Sequence, residues 1–156
     1  MAVRPILRSS IASLAYFGVV FAAGFALGTL RVLILIPRLG ENKAVLLELP
    51  IILALSWMAC RWLIARFDVP TTALDRLVMG GLAFAVLMLA EFGVSVFGLD
   101  RSLSEHLEHY RHVPAALGLA GQIAFAAFPV VQSLMDPRQR ADLPESLTRL
   151  LETHAD

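Results

Sequence analysis

Cysteine is nearly absent from this chain, and charged residues are few. The single cysteine, Cys60, excludes an internal disulfide framework and a cysteine-based zinc cluster. Lys and Arg together number 13, as do Asp and Glu, so the formal net charge is zero. Without a basic excess or an acidic block, the sequence predicts neither nucleic-acid binding nor a charged disordered tail.

Several catalytic patterns are also missing. The chain has no phosphate-binding glycine loop, no nucleophile elbow and no HExxH or HxxEH zinc-protease motif. All four histidines lie outside the long apolar stretches, which excludes axial haem ligation within those stretches. The sequence therefore disfavours an enzyme and leaves any cofactor unknown.

Apolar residues dominate what remains. They make up 58% of the 156 residues, and the mean hydropathy is +0.72. Soluble domains are nearer about 45–50% apolar, so the excess indicates a lipid bilayer as the environment. Four apolar stretches are each long enough to cross a ~30 Å hydrocarbon core as a helix. The predicted spans are residues 14–36, 44–64, 77–97 and 113–134.

The sequence thus predicts an all-α integral membrane protein. Residues 1–135 form a four-transmembrane-helix bundle, and residues 136–156 form a cytoplasmic tail with a short amphipathic helix beginning near Pro144. The first apolar stretch greatly exceeds the ~7–15-residue core of a signal peptide, so we expect it to be retained.

Basic residues predict the orientation of the bundle. With both termini in the cytoplasm, eight Lys and Arg residues lie on the inner side and four on the outer side, with Arg31 excluded as intramembrane. That bias follows the positive-inside rule and favours an N-in, C-in arrangement. The inner residues are Arg4, Arg8, Arg61, Arg66, Arg76, Arg138, Arg140 and Arg149, and the outer residues are Arg38, Lys43, Arg101 and Arg111.

Four polar side chains interrupt the apolar spans: Arg31, Glu48, Glu91 and Gln122. An ionisable group in hydrocarbon costs roughly 3 kcal/mol or more, so it is usually paired, solvated or functional. Counted along each helix, the four lie about 6 to 14 Å below the outer ends of their spans. We therefore expect them to meet in the outer half of the bundle.

Two interpretations of these side chains remain open. Arg31 and Glu48, on adjacent antiparallel helices, could form a structural ion pair with Glu91 as a second acceptor, because the guanidinium can engage two carboxylates. Alternatively, they could form a binding site in which Arg31 holds an anionic ligand and one glutamate carries a proton.

A histidine-rich segment lies in the last outer loop. Glu105, Glu108, His109 and His112 share one face if the segment is helical, because three or four residues separate them. His and Glu at this spacing can bind zinc or another divalent metal. The alternative, which the sequence favours, is a solvated amphipathic helix.

Small residues line two of the predicted spans. Gly24 and Gly28 form a GxxxG pattern in the first span, and Gly118 and Gly121 lie in the fourth. Such faces allow helices to approach closely, either within the bundle or against another membrane protein or a second copy of the chain.

Several short runs resemble those of small four-span bacterial inner-membrane proteins that carry no assigned activity. These runs are Gly28 to Arg31 and on to Pro37, Gly40-Glu41, Ala44 to Pro50, Met79-Gly80 with Ala90-Glu91, and Gly121-Gln122 with Phe128-Pro129. The resemblance implies a multi-pass protein of the bacterial inner (plasma) membrane. It implies no functional residue.

The favoured function at this stage is a small accessory or assembly subunit of a larger membrane complex. It rests on the small size, the Gly- and Ala-rich helix faces and the absence of a catalytic set. The alternative is a proton-coupled or anion-binding carrier or channel component that uses Arg31, Glu48 and Glu91.

Overall fold

The computed structural model describes residues 3–95 and 112–135, and almost all of these residues are helical. The helices are α1 (Val3–Leu30), α2 (Ile36–Leu39), α3 (Glu41–Phe67), α4 (Ala73–Gly93) and α5 (Val113–Leu134), with a π-helical turn (Arg31–Leu35) that joins α1 to α2. Within the described residues, four helices are long and apolar enough to cross a membrane: α1 together with α2, then α3, α4 and α5. The predicted all-helical class is confirmed at this level.

A π turn lets the first long helix continue through Pro37 without a break. The backbone N–H of Ile36 bonds to the carbonyl of Arg31, five residues back, instead of the usual four. Proline has no N–H and its ring crowds the preceding turn, which the wider π turn accommodates. The helix therefore continues through Leu39 and ends at Gly40, whose φ of 78° favours glycine.

The other end of the bundle has a different turn. Asp68 adopts a left-handed conformation with φ 49°, and its N–H bonds to the carbonyl of Ile64 to close α3. The chain then re-enters a helix at Thr72, whose hydroxyl accepts a hydrogen bond of 3.2 Å from the N–H of Asp75.

The four long helices form a closed ring, in which α1 runs parallel to α4, α3 runs parallel to α5, and the other neighbouring pairs are antiparallel. α1 packs against α3 and α4, and α5 packs against the same two helices. We call the end that contains the α2–α3 turn the Gly40 end, and the end that contains the α3–α4 turn the Asp68 end. The buried apolar core occupies mainly the Asp68 half, whereas the Gly40 half is more open. The core residues are Ala12, Tyr16, Val20, Cys60, Leu63, Val69, Met79, Ala83, Leu87 and Phe125.

Tyr16 joins α1 to α5 at the centre of this core. Its ring stacks on Phe125 with centroids 4.2 Å apart, and its hydroxyl donates a hydrogen bond of 3.1 Å to the carbonyl of Phe125. The residue that would normally donate to that carbonyl within α5 is Pro129, which has no N–H. The tyrosine hydroxyl therefore satisfies a carbonyl that the proline leaves without its helical partner.

Large apolar side chains cover the outer surface of the described helices. Met58, Leu74, Leu89 and Leu134 are each about two-thirds exposed. A continuous apolar exterior on a ring of long helices is the surface expected for contact with lipid tails. The predicted tail helix within residues 136–156 lies outside the described residues.

Candidate ligand-binding cavity

A cavity of about 740 Å³ opens within the Gly40 half of the bundle. Residues from all four long helices line it, and Arg31, Glu48, Glu91 and Gln122 are among them. The structure therefore brings the four intramembrane polar side chains to one space. Val20, Leu87 and Phe125 also line the cavity and belong to the core below it.

Arg31 and Glu48 contact each other across the α1–α3 interface. The turn at Gly40 reverses the chain, so that the start of the π turn faces the second turn of α3. Arg31 Nη1 lies 3.3 Å from Glu48 Oε2. The arginine side chain is 32% exposed and the glutamate side chain 12%. The pair places opposite charges together in a partly dehydrated setting, where their attraction exceeds that of a surface pair.

Glu91 and Gln122 form the second polar contact. Gln122 Nε2, on α5, donates a short hydrogen bond to Glu91 Oε1, on α4. A carboxylate only accepts hydrogen bonds, so this contact fixes the amide with its nitrogen toward Glu91 and its oxygen away. The two contacts thus pair α1 with α3 and α4 with α5 at a similar level of the bundle.

Four buried polar atoms at the cavity make no hydrogen bond within the described residues. They are Arg31 Nε, Glu48 Oε2, Ser95 Oγ and Gln122 Oε1. The ion-pair contact of Glu48 Oε2 lacks the alignment of a hydrogen bond. Buried polar atoms are nearly always hydrogen-bonded in folded proteins, so a group of such atoms around one cavity points to a polar occupant.

Ser95 is a cavity residue that the sequence did not single out. It is 6% exposed and lies two residues beyond the end of α4, four residues after Glu91. The spacing from Glu91 is the signal that could have found it, because residues four apart share a helix face. A serine in an apolar span is too common to be chosen without that reference point.

Small residues give the cavity its width. Gly24, Gly28, Gly118 and Gly121, which the sequence assigned to close helix packing, all line it. A Cβ on Gly28 or Gly118 would have no neighbour within 4 Å, whereas one on Gly121 would lie 2.7 Å from Leu49 Cδ1. Only Gly121 of these is therefore a site of tight packing between helices.

The predicted metal site lies mostly outside the described residues. Glu105, Glu108 and His109 are not described, and His112 directly precedes α5 at the Gly40 end. Within residues 3–95 and 112–135, no group of three or more His, Cys, Asp or Glu side chains is placed to hold a metal ion.

A second polar cluster is buried at the Asp68 end, and its burial was not predicted from the sequence. Asp75 accepts hydrogen bonds from the Ser9 hydroxyl (3.0 Å) and from the Thr72 hydroxyl. Arg76, counted above among the basic residues of the inner side, is 2% exposed and donates to the carbonyls of Pro70 (2.9 Å) and Val69 (3.3 Å). These contacts attach α1 and the α3–α4 turn to the start of α4, which is a structural role.

Comparison with known proteins does not extend this picture. No family model matches the chain, and no curated protein or solved structure matches it. The functional argument therefore depends on the chemistry of the cavity.

Proposed function

We propose that this protein is a multi-pass membrane protein that binds a small amphiphilic molecule in the cavity of the Gly40 half, as the binding component of a carrier. One observation supports this proposal above the others: polar side chains from four helices line a single cavity. A volume of about 740 Å³ lies within the range of roughly 300–1,000 Å³ typical of small-molecule sites.

The packing of the Asp68 half favours a binding site over a permanently open pore. Tyr16, Phe125 and their neighbours fill the interior below the cavity. A molecule entering from the Gly40 end would stop at this core unless the helices moved. Access to the two sides at different times, by motion of the helices around the site, is the usual behaviour of a carrier.

The membrane and its orientation are part of the proposal. The apolar exterior supports insertion, and the distribution of Lys and Arg supports cytoplasmic termini in a bacterial inner membrane. In this arrangement the Gly40 end faces outward. Single cysteines at the two exposed turns test the orientation in a Cys60→Ala background. A membrane-impermeant maleimide should label Asn42→Cys in intact cells and Asp68→Cys only after permeabilisation; the reverse pattern would invert the topology.

A cavity-filling variant tests the binding function. Gly118→Leu adds a large side chain at a position that lines the cavity, where an added Cβ has no atom within 4 Å. Gly18→Leu is its matched control: Gly18 is equally open but lies outside the cavity lining. Each protein is purified in mild detergent, and bound small molecules are extracted and identified by mass spectrometry.

We expect a molecule that co-purifies with the wild type and with Gly18→Leu and is lost from Gly118→Leu. Identical extracts from all three proteins would rule out a ligand site in this cavity. All three must elute as single folded species for the comparison to count.

The accessory-subunit function remains a second proposal. Its support is the small size of the chain and its apolar exterior. The four glycines that were expected to face a partner line the cavity, so they no longer support it. The same purification tests it: a protein recovered in fixed stoichiometry with the chain would favour the subunit role, whereas the chain recovered alone would count against it.

A further inference from the structure

An exposed apolar stripe runs along α3 toward the Asp68 end. Four residues at intervals of three or four positions share one face of the helix and form this stripe: Ile51, Leu55, Met58 and Trp62. Their exposed fractions lie between 41% and 66%. From Ile51 to Trp62 the helix rises about 16 Å, close to the depth of one leaflet of a ~30 Å hydrocarbon core. The stripe therefore has the length that one lipid leaflet requires.

Two exposed arginines lie at the end of the stripe. Arg61 directly precedes Trp62, and Arg66 follows it by one helical turn on the same face. Neither arginine forms a hydrogen bond or an ion pair with another described residue. The guanidinium carbon of Arg66 lies 6.0 Å from the centroid of the Phe67 ring, a contact that positions the charge and involves no hydrogen bond. Both guanidinium groups are therefore placed to donate to a group outside the described helices.

A third arginine at the same end has its partner within the protein. Arg8 Nη1 lies 3.1 Å from Asp68 Oδ2. Asp68 is only two residues after Arg66, so it is the carboxylate nearest to Arg66 along the chain. Because Asp68 pairs with α1 instead, the Arg66 guanidinium stays at the exposed face of α3.

An anionic phospholipid matches both parts of this surface. A guanidinium binds phosphate oxygens through paired N–H donors, and tryptophan is enriched at the level of the lipid head groups. A free phosphate would leave the apolar stripe uncovered. A zwitterionic lipid brings a cation of its own beside the arginines, so it gains less from them than a lipid with net negative charge does.

Resting on the proposed membrane insertion, we infer that α3 carries a site for an anionic phospholipid at the Asp68 end. The acyl chain lies along the stripe, and the phosphate binds Arg61 and Arg66 at the level of Trp62. The observation specific to this partner is an exposed apolar stripe of leaflet length that ends in a tryptophan flanked by two arginines.

Trp62 itself reports which lipid lies beside it. The chain has two tryptophans, and Trp57→Phe leaves Trp62 as the only one while keeping an aromatic ring against Phe128. The full chain with this change is reconstituted into vesicles of phosphatidylcholine that contain the same fraction of either brominated phosphatidylglycerol or brominated phosphatidylcholine. Bromine on the acyl chains quenches tryptophan fluorescence only at short range, so the extent of quenching measures which lipid occupies the stripe.

We expect brominated phosphatidylglycerol to be selected at Trp62 by about fivefold or more, the effect of a single arginine near a membrane surface. Arg61→Gln combined with Arg66→Gln should abolish the selection. Arg38→Gln combined with Lys43→Gln is the matched control, because it removes two exposed cations from the Gly40 end, and it should leave the selection unchanged. If the arginine variant fails to fold, the comparison of the two lipids on the parent protein still decides the matter.

The other outcomes separate failure of this site from failure of the membrane placement. Equal quenching by the two lipids, or a selection that persists without Arg61 and Arg66, would overturn the inference and leave the membrane placement intact. The vesicles are first washed at alkaline pH and floated on a density gradient. A protein that floats but is quenched by neither lipid has another protein over its stripe, which also overturns the inference. A protein that does not float would refute the membrane placement itself.

Discussion

Gly80 of α4 lies against the backbone of Ala126 in α5, so closely that a Cβ on Gly80 would overlap the carbonyl oxygen of Ala126 and lie 3.1 Å from its carbonyl carbon. The next residue, Gly81, has no atom within 4 Å of an added Cβ. Two adjacent glycines therefore have opposite roles. Gly80 lets two helices meet, and Gly81 faces open surroundings.

Gly80→Ala should destabilise the bundle, and Gly81→Ala should not. Alanine gains about 1 kcal/mol of helix propensity over glycine, but overpacking costs roughly 1–3 kcal/mol and a backbone carbonyl cannot rotate aside. The thermal unfolding midpoint in mild detergent checks this, with Gly81→Ala as the matched control. If the midpoint for Gly80→Ala equals or exceeds that for Gly81→Ala, α4 and α5 can move apart at Gly80 without loss of stability.

Removing one partner of the Arg31–Glu48 pair should cost more than removing both. Arg31→Leu or Glu48→Leu leaves an opposite charge partly buried, at a cost of roughly 2 kcal/mol or more, whereas the double variant leaves none. Denaturant unfolding in detergent micelles measures the four states of this double-mutant cycle. If the single effects add to give the double effect, the two side chains are not energetically coupled.

The exposed pair Arg8–Asp68 provides the control for that cycle. Arg8 Nη1 lies 3.1 Å from Asp68 Oδ2, a shorter distance than in the Arg31–Glu48 pair, but the two side chains are 55% and 88% exposed. Water screens such a pair, so its coupling should stay below about 1 kcal/mol.

Ser9→Ala should destabilise the Asp68 end, and Ser10→Ala should have little effect. The Ser9 hydroxyl is buried and donates to Asp75 across the α1–α4 interface, whereas the Ser10 hydroxyl donates to the carbonyl of Ile6 in its own helix. Loss of a hydrogen bond to a buried carboxylate costs about 1.5–3 kcal/mol. Amide hydrogen exchange at the start of α4 measures the local change, and equal protection in both variants would refute the linking role of Ser9.

Tyr16→Phe should destabilise the core, and Pro129→Ala should reduce that effect. The tyrosine hydroxyl is the donor that replaces the missing N–H of Pro129 at the carbonyl of Phe125. Without it, a buried carbonyl loses its partner at a cost of roughly 1–3 kcal/mol. Alanine at position 129 restores a backbone donor, so Tyr16→Phe should cost less in that background.

Unfolding of the two single variants and the double variant provides the comparison. An unchanged cost of Tyr16→Phe in the Pro129→Ala background would show that the hydroxyl and the missing N–H are unrelated.

Apolar stretches were sufficient to predict the four long helices, because length and hydropathy alone determine whether a helix can cross a bilayer. Depth along those helices also indicated that Arg31, Glu48, Glu91 and Gln122 would lie at a similar level. Their actual pairing depends on helix rotation, which side-chain packing determines and a single sequence does not contain.

Other features were beyond the reach of the sequence for the same reason. The burial of Arg76 follows from how the α3–α4 turn folds over the start of α4, so a residue counted among the basic residues of the inner side lies inside the protein. The spacing of the four glycines predicted close contact between helices. Only the arrangement of the helices determines whether glycines at that spacing lie in a helix–helix contact or line a cavity.

The π turn at Arg31–Leu35 spans one residue more than a regular α-helical turn, because the N–H of Ile36 bonds five residues back. Each residue turns an α-helix by about 100°. One extra residue in the turn therefore changes the direction in which Arg31 points relative to the helix that follows Pro37. Deleting a single residue between Leu30 and Pro37 would restore regular α geometry and rotate the guanidinium relative to Glu48, with no substitution at either position. In related chains, a one-residue gap at this turn in an alignment would then indicate that the Arg31–Glu48 pair is absent from the cavity, even where both residues are present.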